Sequence, residues 1–276
     1  MSYMEYVKNH QSMMDKDTID TLGFSANPKR EKVYHKVRTS RDGSCTVEYI
    51  APKPLGAREM KVAFTLATQC IDDDGKFIEL VSESMVKTTV NLRAMAEFIY
   101  SKGTIDKRKS IFEALFRIKM LTLRFTYKDP FPAHALTDAN GVPIRKDRDV
   151  VTGWIHEAVV SDNYETADVV LSSIFLKYIL LNPISFNLEK MISYDGRACF
   201  LYMAMQGYKY KMKRGNRWAY YHHVPHERLV QALDLVGIEK KKQVFEIKKA
   251  FKVIGLNYVH NKRTDNWDKK KSPLVK

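Results

Sequence analysis

Residues 238–260 read IEKKKQVFEIKKAFKVIGLNYVH, and their periodicity decides how the chain is read. At about 100° per residue, Val244, Ile247, Phe251 and Ile254 share one face of a helix, while Lys241, Lys242, Lys248, Lys249 and Lys252 gather on the other. One side is core. The other is a cation stripe, either a solvated surface or a face that meets a polyanion. Gly255 is a helix stop, after which Leu256, Tyr258 and His260 alternate with Asn257 and Val259 as a strand would.

The same pattern occurs 133 positions earlier, where residues 105–127 read IDKRKSIFEALFRIKMLTLRFTY and align without a gap. Ile105, Lys107, Lys109, Phe112, Glu113, Lys119 and Leu123 recur as Ile238, Lys240, Lys242, Phe245, Glu246, Lys252 and Leu256. Two amphipathic helices share some of this by chance, but the whole IDKRKxIFE block points to internal duplication of a helix-then-strand unit.

A chain of 276 residues, 45% apolar, has room for two such units with real cores. Cys45, Cys70 and Cys199 lie far apart without a CxxC pair, which excludes a disulfide framework or zinc knuckle and fits a reducing, cytoplasmic setting. The N-terminal residues have no apolar leader region, and the longest apolar run, 169–181, carries Lys177 and is too short for a bilayer, so no membrane partner is expected. Net charge is +14, and residues 205–276 hold 18 Lys plus Arg against 6 Asp plus Glu. The other 204 residues balance at 28 against 26. This gradient places one polyanion-binding end on the chain.

In chain order, residues 1–55 read as a loosely structured arm with one strand at 45–50. A helix follows at 57–69, then a hairpin whose turn is Asp72, Asp73, Asp74 and Gly75. Residues 82–100 read as one or two short helices, and 128–153, rich in Pro, Asp and Gly, as a long mobile loop or extended wing tip. Strands at 154–160 and 168–172 flank SDNYET, and Pro183 ends a helix begun at Ile174. Residues 197–206 form an apolar helix whose Cys199, Phe200, Tyr202 and Met203 are core. In YKYKMKRGNRWAYYHH, aromatic residues interleave with Lys209, Lys211, Lys213, Arg214 and Arg217, as in a phosphate-binding hairpin or an exposed polar turn. A helix at 225–236, a turn at Gly237, the basic helix and its strand then give the order of a helix-turn-helix with a wing. Residues 261–276 read as a flexible cationic tail that includes Lys262 and Arg263.

These segments together resemble the plasmid replication initiators of the RepA/RepE type over roughly residues 56–262. The carriers are KRKSIFEALFRIKMLTLRF, WIHEAVVSDNYETADVVLSS leading into FLKYILL, YDGRACFLYMAMQGYK, and HERLVQALDLVGIEKKKQVFEIKKAFKVIGLNYV. The resemblance implies an α+β fold of two tandem winged-helix domains related by duplication: an arm over 1–55, a first domain over 56–182, a second over 183–262 and a basic tail over 263–276. It also implies binding of double-stranded DNA at origin repeats, local duplex opening, recruitment of host helicase and initiator, and self-repression by a homodimer whose monomer binds the origin. Carried over by position, the recognition helices are 107–119, with Lys107, Arg108 and Lys109, and 240–252, with Lys240 among its lysines. Gln243 is a candidate adenine reader or a surface residue. The first helix has Leu115 and Phe116 in place of Lys248 and Lys249, so the first domain is expected to bind DNA more weakly or to use that apolar surface for a partner.

No catalytic chemistry is expected, and no cofactor or metal. The chain has no His-x-His metal pair of the rolling-circle kind and no GxxxxGK[ST] loop. His222, His223 and His226 lack a fourth zinc ligand and read as phosphate or cap contacts. A winged-helix transcriptional repressor, or a metal-dependent nuclease or primase, remain the alternative classes.

Overall fold

The computed structural model describes residues 12–15, 23–26, 34–39, 43, 45–70, 80–82, 85–127, 149–172, 183–212 and 218–270. Its elements in chain order are β1 (Ser12–Asp15), β2 (Tyr34–Thr39), β3 (Cys45–Ala51), α1 (Ala57–Gln69), β4 (Leu80–Ser82), β5 (Met85–Asn91), α2 (Leu92–Tyr100), α3 (Ile105–Lys119), β6 (Thr122–Tyr127), β7 (Asp149–Thr152), β8 (Ile155–Val160) and β9 (Thr166–Ser172). There follow β10 (Pro183–Phe186), α4 (Leu188–Ser193), α5 (Gly196–Gln206), β11 (Lys209–Lys211), β12 (Trp218–Tyr220), β13 (His223–Pro225), α6 (His226–Ala232), α7 (Lys240–Val253), β14 (Tyr258–Asn261) and β15 (Asn266–Lys269).

Two units share one plan. In each, a long helix (α1 or α5) is followed by short strands, a helix pair and a strand pair. The sheet order β5-β9-β8 in the first unit matches β13-β15-β14 in the second, all antiparallel. These are tandem winged-helix-like α+β units. The register of 133 positions holds along the helices: Ile111, Ala114, Ile118 and Leu121 point inward in α3 and its C-terminal turn, as Val244, Ile247, Phe251 and Ile254 do at α7. Finer marks repeat as well. Leu92 N donates to Glu165 O at 2.8 Å, and His226 N donates to Asp265 O at 3.1 Å, so each helix pair is pinned at its first residue to the residue before the last strand. The glutamate of the repeated block also recurs for a reason. Glu113 lies 3.6 Å from Arg58, and Glu246 lies 2.7 Å from Arg197, each arginine being the second residue of its unit's long helix.

Duplication fails at the strand after the helix. Leu256 and Tyr258 lead into the wing sheet, but the corresponding Leu123 and Phe125 lie in β6, which joins a separate sheet of order β2-β3-β6-β7. The first unit thus carries an insertion between its helix pair and its own strands β8 and β9. The short turn at 161–165, rather than the 128–153 segment, occupies the wing position; residues 128–148 lie outside the described residues, and 149–152 are a strand.

Four other expectations change. The N-terminal arm contributes β2 and β3 to that four-stranded sheet, with Val47 and Tyr49 buried at period two. Gly23, at φ +68°, lies where a Cβ would stand 2.3 Å from the Tyr49 ring, so only glycine lets the arm pass over the sheet. Residues 85–91 form β5 rather than a helix, because Val86 and Val90 alternate with exposed neighbours and pair with β9. The helix expected from Pro225 starts at His226 and ends at Ala232, with Pro225 itself in β13. The expected tail holds β15, whose Trp267 is 0% exposed at the centre of the second core. The helix expected at 174–181 and the acidic turn at 72–75 lie outside the described residues.

The units share a continuous core. Phe64 of α1 packs edge-on against Trp154 of the first unit and Phe186 of β10 at centroid distances of 6.3 and 5.4 Å. Lys61 of α1 pairs with Asp195 at 2.8 Å. Glu59 is buried in α1; burial opposes its ionisation, but hydrogen bonds from Arg58 and from Gly56 N hold its pKa below the usual carboxylate range. At the α6–α7 turn Asp234 takes hydrogen bonds from Ser25 Oγ at 2.6 Å, Ala26 N at 2.8 Å and Lys36 Nζ at 2.8 Å. The second unit's turn is therefore tied to the arm.

A buried polar string positions the second unit's helices. Trp267 Nε1 donates to His226 Nδ1 at 3.1 Å, His226 Nε2 meets Gln243 Oε1 at 3.1 Å, and Gln243 Nε2 donates to Leu235 O at 3.0 Å. Indole nitrogen only donates, so His226 is neutral with its proton on Nε2. Burial lowers the His226 pKa, and the Gln243 hydrogen bond offsets this only in part. The folded pKa is thus below the unfolded one. The stability this histidine confers is present above the unfolded pKa near 6.5 and is lost as pH falls through the folded value.

Thermal stability should accordingly drop between about pH 7 and pH 5, and a His226→Gln variant, less stable at neutral pH, should show a smaller drop; calorimetry across this range checks it. The repeated Arg–Glu pair should show a coupling of about 1 kcal/mol in a double-mutant cycle of Arg197→Ala and Glu246→Ala read by denaturant unfolding. Additive effects of the two changes would remove the pair as a reason for the repeated glutamate.

Candidate nucleic-acid interface

Helix α7 presents the surface expected of a recognition helix. Its inward face is Ile247, Ala250 and Phe251, and opposite them Lys241, Lys242, Lys248, Lys249 and Lys252 are all exposed. Among the described residues none of these five has an ion-pair partner, whereas Lys240 at the helix start pairs with Asp265 at 3.0 Å. In the middle of the lysines stands Phe245, 62% exposed. The core face read from the sequence does not include it, and no role was assigned to it; its direction nearly opposite Ile247 and Ala250 is the signal that places it among the lysines.

The wing lies beside the helix. An open groove of about 840 Å³ runs between α7 and β14, bordered by Lys248, Lys252, Lys262 and Lys270, with Val244 and Phe245 on its helix wall. Lys262 and Arg263 are exposed in the turn between β14 and β15, where Arg263 N donates to Asn261 Oδ1 at 3.0 Å. Five lysines, with Lys249 the fifth, line this apolar-walled groove, and among the described residues no carboxylate lines it, a charge that suits a phosphate backbone.

The other candidates divide. Gln243 is neither an adenine reader nor a surface residue, because both ends of its amide are used inside the fold. Of the three histidines, His226 is buried with both ring nitrogens engaged, while His222 and His223 are exposed and His223 pairs with Asp268 at 2.7 Å. His226 therefore faces the core rather than a phosphate. His226, His260 and Asp265 bring ligating atoms within 4.8 Å of one another, but Trp267 and Gln243 hold His226, and His260 Nε2 is 2.8 Å from Asp265 Oδ1. This trio is an internal hydrogen-bonded cluster rather than an open ligand set.

The basic hairpin exists as β11 paired with β12, and it abuts the wing through Tyr258 OH, which donates to Tyr221 O at 2.7 Å. Lys209 lies half-buried with its ammonium 5.5 Å from the centre of the Tyr220 ring. Lys211 is the last residue of β11, and Lys213, Arg214 and Arg217 lie outside the described residues.

In the first unit the start of the matching helix is engaged by the protein's own side chains. Lys107 sits over the Tyr100 ring at 4.9 Å, Lys109 near the Tyr164 ring at 5.7 Å, and Arg108 pairs with Glu165. Phe112, the counterpart of Phe245, packs edge-on against Tyr164 at 5.8 Å. The turn before β9 thus covers the first half of α3. Leu115 is not part of an exposed patch: it is 0% exposed in the core, because α3 is packed by α1 on that side. Phe116 is 57% exposed, with Ile105 and Met120 also exposed on α3. Among the described residues no helix is long and apolar enough to cross a membrane.

No protein-family model and no curated protein matches this chain. Among solved structures it is similar to domain 2 and domain 3 of RctB, with a TM-score of 0.56 and 11% identity over 86% of this chain and 85% of that one. A second structure of RctB domains 2-3 aligns at a TM-score of 0.48 and 12% identity, covering 86% of this chain and 82% of the other. The likeness is one of fold: two tandem units of this kind occur together in both chains.

Proposed function

We propose that this chain is a sequence-specific double-stranded DNA-binding protein that initiates replication of a plasmid-type replicon. The observation that carries the reading is the face of α7, five unpaired lysines around one exposed aromatic residue beside a lysine-bordered groove. Helix α7 would lie in the major groove with its first turns at base edges, and the wing residues Lys262 and Arg263 along the adjacent backbone. Two tandem units support an initiator over a one-unit repressor dimer, and so does the fold likeness to RctB, a replication initiator protein. The role is binding, at repeated origin sites, with local duplex opening, recruitment of host helicase and repression of its own gene.

In this reading the second unit does most of the DNA binding, and the first supplies self-association. What supports the division is the contrast between the exposed lysines of α7 and the engaged Lys107, Arg108 and Lys109 of α3. Phe116 is the exposed apolar residue nearest the middle of α3, which makes it the test position for a homodimer that gives way to an origin-binding monomer.

Affinity for duplex DNA flanking its own coding region should fall by roughly 10³-fold between about 50 and 200 mM salt, as expected for about six phosphate contacts. Lys241→Ala with Lys248→Ala should abolish the gel shift while leaving the melting temperature nearly unchanged, since both side chains are exposed. Retained binding by that double variant would move the interface off α7. Separately, Phe116→Glu should raise the monomer fraction in sedimentation without loss of fold, and an unchanged dimer fraction would remove α3 from the self-association surface.

A further inference from the structure

The phenylalanine at the middle of α7, Phe245, is 62% exposed and lines the groove. At about 100° per residue its direction is nearly opposite Ile254 and Ile247, and Lys241, Lys242, Lys248, Lys249 and Lys252 all fall within about 60° of it on either side. It is thus the centre line of the cation face rather than a stray edge residue. A single exposed apolar side chain is ordinary on a protein surface. What sets Phe245 apart is its counterpart: Phe112, at the same register in the duplicated helix, is half-buried and covered by Tyr164. The second unit has the acidic Asp265 in its shorter wing turn, tied to Lys240 and His260, and among the described residues nothing covers Phe245.

Lysines on both flanks would meet the two phosphate backbones that border a major groove, and the residue between them would then face base edges. A phenyl ring can neither donate nor accept a hydrogen bond, so it cannot read the amide and carbonyl pattern of those edges. The apolar feature that a base pair offers in the major groove is the C5-methyl group of thymine. We propose that Phe245 is a specificity-determining residue that selects sites by packing on a thymine methyl. The proposal rests on the DNA-binding reading of α7 given above and assigns the side chain that distinguishes one site from another within it.

The test is a selection from a random-sequence duplex pool by the full chain, run in parallel with Phe245→Ala and Phe245→Leu. The sites enriched by the unsubstituted chain are then resynthesised with each thymine replaced in turn by deoxyuridine, which lacks only the methyl. At least one replacement should weaken binding by the unsubstituted chain about fourfold, the equivalent of one buried methyl group. Phe245→Ala should bind the thymine and uracil duplexes alike and keep the same salt slope, and Phe245→Leu should retain part of the discrimination. Indifference of the unsubstituted chain to every uracil, or undiminished sensitivity in Phe245→Ala, overturns the assignment while leaving the DNA-binding reading standing. A chain that retains no duplex at low salt overturns both.

Discussion

The hydrogen-bonded string from Trp267 through His226 and Gln243 to the Leu235 carbonyl is the constraint on which the second unit depends. It links the last wing strand, the first residue of α6, helix α7 and the turn between the two helices. Each link lies inside the fold, where an unmet donor or acceptor costs more than a met one contributes. Helix α7 therefore cannot rotate about its axis without breaking the Gln243 links at both ends. The lysine face is held at a set angle to the wing, and the groove between them keeps its width.

The first unit solves the same problem with different groups. At the Gln243 register stands Ser110, which is 3.3 Å from both Arg58 Nη1 and Tyr100 OH, so α3 is fixed against α1 and α2 instead of against a wing strand. The backbone frame is retained: the pin from Leu92 to Glu165 corresponds to that from His226 to Asp265. What diverged is the outward face. In α3 the cations and the aromatic are spent on Tyr100, Tyr164 and Glu165, and Leu115 is drawn into the core. In α7 Lys240, the match of Lys107, pairs with Asp265, while Lys241, Lys242, Phe245 and Lys248 are exposed.

Electrostatics separates the two surfaces further. Four carboxylates of the second unit are engaged away from Lys241, Lys242, Lys248, Lys249 and Lys252: Glu246 with Arg197, Asp234 with Lys36 and Arg38, Asp265 with Lys240 and His260, and Asp268 with His223 and Asn261. Apart from Lys240, the lysines of α7 have no ion-pair partner among the described residues, and such a cluster beside a groove favours a polyanion over dispersed counterions. The tie from Asp234 to the arm also fixes the helix-turn-helix of the second unit to the β2 strand beside the first.

The repeated helix, its core face, its lysine stripe and the helix pair ahead of it were legible in the sequence, because they depend on spacing of 3.6 residues along one continuous segment. Helix α1 matched its reading for the same reason. The fate of Leu123 and Leu256 was not legible: at one register Leu123 lies in β6 while Leu256 precedes the wing strand β14, because β6 pairs with β3, far away in the chain, and β14 pairs with β15 across a short turn. Trp267 sat in a run of lysines and asparagines, so only its burial by α6 and α7 made the supposed tail a wing strand. The sequence pattern offers Gln243 as a base reader or a surface residue, yet its amide is engaged inside the fold, and it assigns no role to Phe245, which stands exposed among the lysines. Local pattern sets which residues share a helix face, but only packing against the other elements decides which face is covered.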